Sequence, residues 1–187
     1  MTISIYVPMS KIIYKQSNHV ILAQSAGRRH LLNVYTKLEY GKYRPKTYSA
    51  LTQKFINPKS TLIVFSTGNI TSMGSSTYYG ALLVILNLKE KLNIQFLNVK
   101  LSNIVVCFSL KDFGILNFNL EHFFEKNCEQ STYDLEVFPC LTYNIQDTNI
   151  KANIFATGNV VLAGCQDHNT IKQSILILIS KINLCFQ

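Results

Sequence analysis

The chain states one short pattern twice. Phe65-Ser66-Thr67-Gly68-Asn69-Ile70-Thr71-Ser72-Met73-Gly74 returns ninety residues later as Phe155-Ala156-Thr157-Gly158-Asn159-Val160-Val161-Leu162-Ala163-Gly164. An aromatic residue, a Thr-Gly-Asn tripeptide and a second glycine recur at the same offsets. A chain of 187 residues has room for about one domain, so the repeat implies one structural unit built twice and related by a pseudo-twofold axis. It also reaches outward. Tyr48 stands ninety residues before Phe138 and Leu51 ninety before Leu141, while Ser17-Asn18-His19-Val20 returns as Ser102-Asn103-Ile104-Val105 at a spacing of 85. The change of spacing puts five additional residues into the second copy between Asn103 and Phe138. The polar stretch from Glu125 to Gln130 is their expected place.

Local chemistry gives each copy the same plan. Ser60–Phe65 and Asn149–Phe155 are short, β-branched and aromatic, and each ends at Thr-Gly-Asn, which predicts a strand entering a tight turn because Gly and Asn tolerate positive φ. Beyond Gly74 and Gly164 the turn residues disappear. Ser75–Leu92 and Gln166–Ile182 are long enough for helices, with Ser75 or Ser76 and Asp167 or Asn169 as N-caps. Between Arg28 and Tyr40, apolar residues at Leu31, Leu32, Val34, Tyr35 and Leu38 predict an earlier helix. Each half therefore reads strand, helix, several strands, long helix, with both long helices burying a broad apolar face on a sheet.

Charge distinguishes the copies. Residues 1–93 hold 12 Lys/Arg against Glu39 and Glu90, and the remainder holds 6 Lys/Arg against 8 Asp/Glu, so the halves carry +10 and −2 within a net +8. A basic excess favours a polyanion such as nucleic acid or an anionic membrane surface. The five cysteines form no C-x-x-C pair, and an odd number cannot all pair within the chain, which fits a reducing compartment. Cys165 with His168 is the only short pairing, too little for a zinc site. Met1–Pro8 lacks the form of a signal peptide, and the apolar run Ile175–Ile179 is far short of the roughly 20 residues a membrane helix needs. Neither a carboxylate cluster nor a nucleophile beside a base is present, so no catalysis, metal or cofactor is expected.

Tyr43-Arg-Pro-Lys-Thr-Tyr48, Asn57-Pro-Lys-Ser-Thr-Leu-Ile-Val-Phe65 with Gly68 and Gly74, and Tyr133-Asp-Leu-Glu-Val-Phe-Pro-Cys-Leu-Thr-Tyr143 followed by Phe155, Gly158 and Gly164 resemble, in this order, the core of the TATA-box-binding protein family. The resemblance runs from Ser17 to Ile182. It implies an α+β, pseudo-symmetric saddle: two β-α-β-β-β-β-α repeats forming one curved antiparallel sheet of about ten strands, with four helices on the convex face. The implied divisions are an N-terminal extension at 1–16, a first repeat at 17–93 and a second at 94–187.

The same resemblance implies function. This family is itself the standard case of minor-groove kinking by inserted apolar side chains. By position, Tyr48 and Phe65 in one half and Phe138 and Phe155 in the other are the wedges. Asn18, Val20, Ile63, Thr71, Met73, Asn103, Val105, Val161 and Ala163 face the groove floor, where A·T pairs present acceptors and no exocyclic amino group of G intrudes. In each Asn-x-Val, period two puts both side chains on one strand face. Arg44, Lys46 and Lys54 are the phosphate contacts, and Asp134, Glu136 and Val137 form the loop that receives a B-type initiation factor. The expected role is a nuclear general transcription initiation factor, in a cell nucleus or the equivalent compartment of a reduced organelle nucleus or virus. It would bend A·T-rich, TATA-like promoter DNA and nucleate a polymerase complex with the B-type factor and other initiation factors, without membrane association.

Departures from the family pattern are specific. Tyr48 brings a hydroxyl to a wedge position, which costs about 1–3 kcal/mol if buried unpaired. Met73 and Ala163 replace threonines, Asn153 a leucine, Asn69 and Asn159 the lysines after the turn glycines, and Asn144 an arginine. Affinity is therefore expected to lean on the first half. Tyr78–Leu88 is almost wholly apolar where the family helix is basic, which predicts partial burial and a changed partner set. These departures also define an alternative: a saddle-fold interaction module of the transcription machinery with weak or lost sequence-specific DNA binding.

Overall fold

A computed structural model describes residues 16–25, 31–38, 41–44, 46–47 and 49–185. The first half runs β1 (Gln16–Ser25), α1 (Leu31–Tyr35), β2 (Lys42–Tyr43), β3 (Ala50–Phe55), β4 (Ser60–Phe65), β5 (Asn69–Ser75) and α2 (Tyr78–Leu92). The second runs β6 (Phe96–Ser109), α3 (Leu120–Lys126), β7 (Ser131–Tyr133), β8 (Leu141–Asn144), β9 (Lys151–Ile154), β10 (Asn159–Cys165) and α4 (His168–Cys185). The predicted β-α-β-β-β-β-α order is present in both copies. Hydrogen bonding arranges the ten strands as β2-β3-β4-β5-β1-β6-β10-β9-β8-β7. The pairs β1/β5, β2/β3, β3/β4, β4/β5, β7/β8, β8/β9 and β9/β10 are antiparallel.

The chain divides within β6 into two compact units, one spanning Ser17–Ile104 and the other holding Val105 onward. In the first, Leu51, Leu62, Val64 and Ile70 from the strands and Ala81, Val84, Ile85 and Leu88 from α2 make a buried cluster. Phe96, Val99 and Leu101 pack on that same cluster, which is why the start of β6 groups with the strands before it. Ser60 and Ser72, buried inside the sheet, satisfy each other: Ser60 Oγ donates to the Met73 carbonyl at 3.1 Å and accepts from Ser72 Oγ at 2.9 Å. In the second unit, Phe123, Tyr143, Ile154, Leu162, Ile175 and Leu178 are fully or almost fully buried. The Tyr143 hydroxyl donates to Gln130 Oε1 at 3.0 Å, and its ring meets Phe123 edge-on with centroids 5.5 Å apart.

Helix ends correct one reading and bear out another. The cap of α2 is Thr77 and not Ser75 or Ser76: its side chain accepts from Gly80 N at 3.0 Å, whereas Ser75 is the buried last residue of β5. One residue beyond the strand, Ser76, makes the turn before the cap geometry is reached. Asp167 does cap α4, accepting from Thr170 N at 2.8 Å, and the Thr170 hydroxyl and N–H hold its carboxyl below the usual carboxylate range. The earlier helix is described only over Leu31–Tyr35, with Val34 buried and Tyr35 exposed.

The five extra residues of the second copy are also elsewhere than expected. Sixteen residues separate β1 from β2 and twenty-one separate β6 from β7. From the end of the short helix to the next strand there are six residues in the first half, 36–41, and four in the second, 127–130. The excess therefore lies between β6 and the end of α3, not around Glu125–Gln130. There the chain makes a 3-10 turn at Leu110–Phe113, capped by Ser109, whose side chain accepts from Lys111 N while Asp112 accepts from Ser109 N. Leu110 and Phe113 are buried, and Phe113 meets Phe108 edge-on at 5.6 Å. Apolar burial holds this insertion, so polarity alone points to the wrong place.

Gly74 and Gly164 close the two repeats with φ of +87 and +103. A Cβ at Gly74 would meet nothing within 4 Å, but one at Gly164 would stand 2.6 Å from the Asn149 carbonyl oxygen. Gly74→Ala is expected to lose about 1–2 kcal/mol, the cost of a left-handed backbone for a residue with a side chain. Gly164→Ala is expected to lose about 1–3 kcal/mol beyond that through overpacking. Urea unfolding midpoints of the two variants measure the difference.

Candidate nucleic-acid interface

Each half buries one face of its strands and leaves the other open. Along β4, Ser60, Leu62 and Val64 are buried while Thr61, Ile63 and Phe65 are half-buried; along β5, Ile70, Ser72 and Ser75 are buried while Thr71 and Met73 are half-buried. The same alternation holds in β9 and β10, where Ala152, Ile154, Val160 and Leu162 point inward and Asn153, Val161 and Ala163 are half-buried. Asn18 and Val20 on β1, and Asn103 and Val105 on β6, are half-buried too. All nine residues assigned to the groove floor thus hold the same half-covered state. The ladder of β1 against β5 shifts register between His19 and Ile21, around Val20.

Register makes the two open faces congruent. Ile63 pairs with Thr71 and Thr61 with Met73 in one half; Asn153 pairs with Val161 and Lys151 with Ala163 in the other. Every one of these positions is displaced by ninety residues from its counterpart. One chemical difference sits at the centre: the Thr142 hydroxyl donates to Asn153 Oδ1 at 3.0 Å, which orients the Asn153 amide so that its nitrogen is the group able to donate. A donor of that kind suits a floor lined with base acceptors.

Of the residues assigned as wedges, Phe65 and Phe155 lie beside the repeated turns. Gly68 N donates to the Phe65 carbonyl at 3.0 Å and Gly158 N to the Phe155 carbonyl at 2.9 Å, with Gly68 and Gly158 at φ of +93 and +79. Each turn is tied to a neighbouring segment, Ser25 N at the end of β1 donating to the Gly68 carbonyl at 3.0 Å and Leu110 N, just beyond β6, to the Gly158 carbonyl at 2.8 Å. Phe138 and Phe155 form an edge-on pair with centroids 6.3 Å apart, and Phe138 is 49% exposed. The pair leaves about half of the Phe138 ring open to solvent. Tyr48 lies outside the described residues.

Arg44, Lys46 and Lys54 are all exposed. Thr47 braces the loop after β2 by donating from N and Oγ1 to the Arg44 carbonyl at 3.0 and 3.2 Å. Lys42, which the sequence reading passed over, lines a 210 Å³ concavity with Arg44, Thr47 and Thr52. A larger concavity of 510 Å³ in the first half includes Leu22, Phe65, Thr71, Asn98 and Lys100, so it brings Lys100 beside a wedge residue. Strand alternation could have flagged Lys42, opposite Thr52. For Lys100, only the neighbouring strands reveal the site.

Asp134, Glu136 and Val137 are exposed on one compact loop. Asp134 Oδ1 accepts from Glu136 N at 3.0 Å, and the Asp134 carbonyl accepts from Phe138 N at 2.9 Å. The acidic residues and Phe138 are therefore built on the same turn. On α2 the apolar residues divide: Ala81, Val84, Ile85 and Leu88 are buried, whereas Tyr79, Leu83 and Leu86 are 80%, 47% and 40% exposed. Partial burial is the outcome, with an apolar stripe left on the far side of the helix.

Burial pushes the Cys165 thiol up to about 11, and raises Cys107 and Cys140 as well, which leaves none of the three a thiolate nucleophile at neutral pH. Among the described residues no group of three or more His, Cys, Asp or Glu could hold a metal ion. No described helix is long and apolar enough to cross a membrane.

A family model described as "Transcription factor TFIID (or TATA-binding protein, TBP)" matches residues 14–93 and 98–185. The TATA-box-binding protein-like 1 of Entamoeba histolytica is 27% identical over 78% of this chain and 68% of its own length. The TATA box-binding protein-like 2 of Rattus norvegicus is 27% identical over 88% of this chain, which spans 48% of that relative. Among solved structures, the TBP of Methanococcus jannaschii superposes with a TM-score of 0.74 at 23% identity, covering 92% of this chain and 99% of the other. That likeness establishes the fold.

Phe138 should matter little to stability because its main aromatic partner is a single ring at the surface. Phe138→Ala is expected to cost about 0.5–1.5 kcal/mol, against about 3–5 kcal/mol for Phe123→Ala in the core. Denaturant titrations of the two variants separate a displayed aromatic from a structural one.

Proposed function

Because the chain belongs to the TATA-box-binding protein family, whose members are non-enzymatic DNA-binding transcription factors, we propose that it binds the minor groove of A·T-rich promoter DNA, bends it, and nucleates assembly of a polymerase initiation complex. The observation that carries this reading is the congruent pair of open strand faces, each ending in an aromatic residue at a fixed turn. Phe65 in one half, and Phe138 with Phe155 in the other, act as wedges that pry a base step apart, joined by Tyr48 from its sequence position. Half-buried apolar and amide side chains between them fit a floor of acceptors without exocyclic amino groups. Arg44, Lys46 and Lys54 neutralise phosphates, and the Asp134–Val137 loop docks the B-type initiation factor. The proposed location is the nucleus or an equivalent transcription compartment.

A second reading keeps the fold and the transcriptional setting but gives protein contacts the larger share of the energy. Its support is the exposed Tyr79, Leu83 and Leu86 stripe on α2, together with asparagines at 69 and 159 where a DNA-binding turn would carry cations. Co-purification with an initiation factor in the absence of any DNA footprint would favour it.

A TATA-containing duplex carrying a donor and an acceptor dye at its ends tests the leading reading. The logarithm of affinity should fall linearly with the logarithm of salt concentration, and binding should shorten the end-to-end distance. Phe138→Ala and Phe155→Ala are each expected to abolish the shortening and to weaken binding about tenfold or more, the scale of losing a buried aromatic anchor. Absence of both binding and bending at low salt would sink the proposal.

A further inference from the structure

In the first half, Lys54 on β3 stands directly across from Thr61 on β4. In the second, Asn144 on β8 stands directly across from Lys151 on β9. Ninety residues separate Lys54 from Asn144 and also Thr61 from Lys151. These are the same cross-strand pair of the repeat, with the lysine moved to the opposite strand. Facing residues in an antiparallel pair have Cβ atoms about 4.5–5.5 Å apart, less than the length of a lysine side chain. The exchange moves the root of the side chain by one strand and leaves the ammonium within reach of the same point in space.

The neighbouring positions accommodate the exchange. Across the next ladder, Thr61 pairs with Met73, and Lys151 pairs with Ala163. The first half thus sets a short residue beside a long one, and the second sets a long residue beside a short one, at equivalent places. Lys54, Asn144 and Lys151 are exposed and Thr61 is half-buried. All four have the parity of Thr52, Ile63, Thr142 and Asn153, so they lie on the open face of their strands. The ion pair of His122 with Glu125 at 3.8 Å involves neither lysine.

We propose that Lys151 is the phosphate-contacting cation of the second half, taking the role that Asn144 leaves vacant, with a duplex phosphodiester as its ligand. This rests on the DNA-binding reading above. It predicts that the open faces of the two halves carry one cation each at this position, although the halves differ by twelve units of formal charge. A lysine approaching from β9 in place of β8 also reaches the phosphate from a different strand, so the two half-sites are read with different backbone geometry.

The test is the salt dependence of binding to a TATA-containing duplex, for the wild-type chain, Lys151→Thr, the double variant Asn144→Lys with Lys151→Thr, and Lys172→Gln on α4 as a charge control. Each phosphate contact contributes about 0.9 to the slope of log affinity against log salt. Lys151→Thr is expected to lower the slope by about that amount, so that raising salt fourfold costs it about 3.5-fold less affinity than it costs the wild type. The double variant should restore the wild-type slope, and Lys172→Gln should leave it unchanged. An unchanged slope in Lys151→Thr, or an equal loss in Lys172→Gln, overturns the assignment while the DNA-binding reading stands. A wild-type chain that binds no duplex at low salt overturns both.

Discussion

One-sided burial is the constraint on which everything else in this chain depends. Each long helix covers only one face of the strands in its half, so every strand must alternate, and the alternation fixes register. A slip of one residue in β4 would bring Thr61, Ile63 and Phe65 into the core and expose Ser60, Leu62 and Val64. The buried set therefore determines what the open face displays. Positions such as Ile63, Thr71, Val161 and Ala163 are held in place by the side chains behind them.

That constraint is shared by the two halves, but the chemistry laid over it is not. The cross-strand pairs of β4/β5 and β9/β10 superimpose position for position, yet Ile63 is matched by Asn153, Met73 by Ala163 and Thr61 by Lys151. Core positions stay buried and uncharged: Leu62 and Val64 are matched by Ala152 and Ile154, and Ser72 by Leu162. Packing density limits exchange inside, whereas a solvent-facing strand surface accepts amides, lysines and aliphatics at the same site. A ligand lying along either face would meet the same strand register with different donors and charges.

Local patterns made much of this legible in advance. Glycines at positive φ marked both turns, period two marked the strand faces, and the ninety-residue repeat marked which positions correspond. The failures have equally specific causes. The insertion was looked for among polar residues, but Leu110 and Phe113 place it in the core beside Phe108. Composition could not divide the apolar α2 into the buried Val84 and Ile85 and the exposed Tyr79 and Leu83, because partition around a helix depends on what packs against it. Position matching gave Asn144 as a lost cation, since a linear comparison cannot see that Lys151 faces it.

The sequence by itself determined the doubled plan, the element order and the parity of the strand residues, because these are carried by neighbours along the chain and by a spacing that can be counted. Only the tertiary structure decided which residues stand across from one another, where the insertion is anchored and which side of α2 is left uncovered. Those outcomes depend on contacts between segments far apart in the chain. Backbone hydrogen bonds set the cross-strand partners and burial sets the exposed faces, and neither is encoded at a single position.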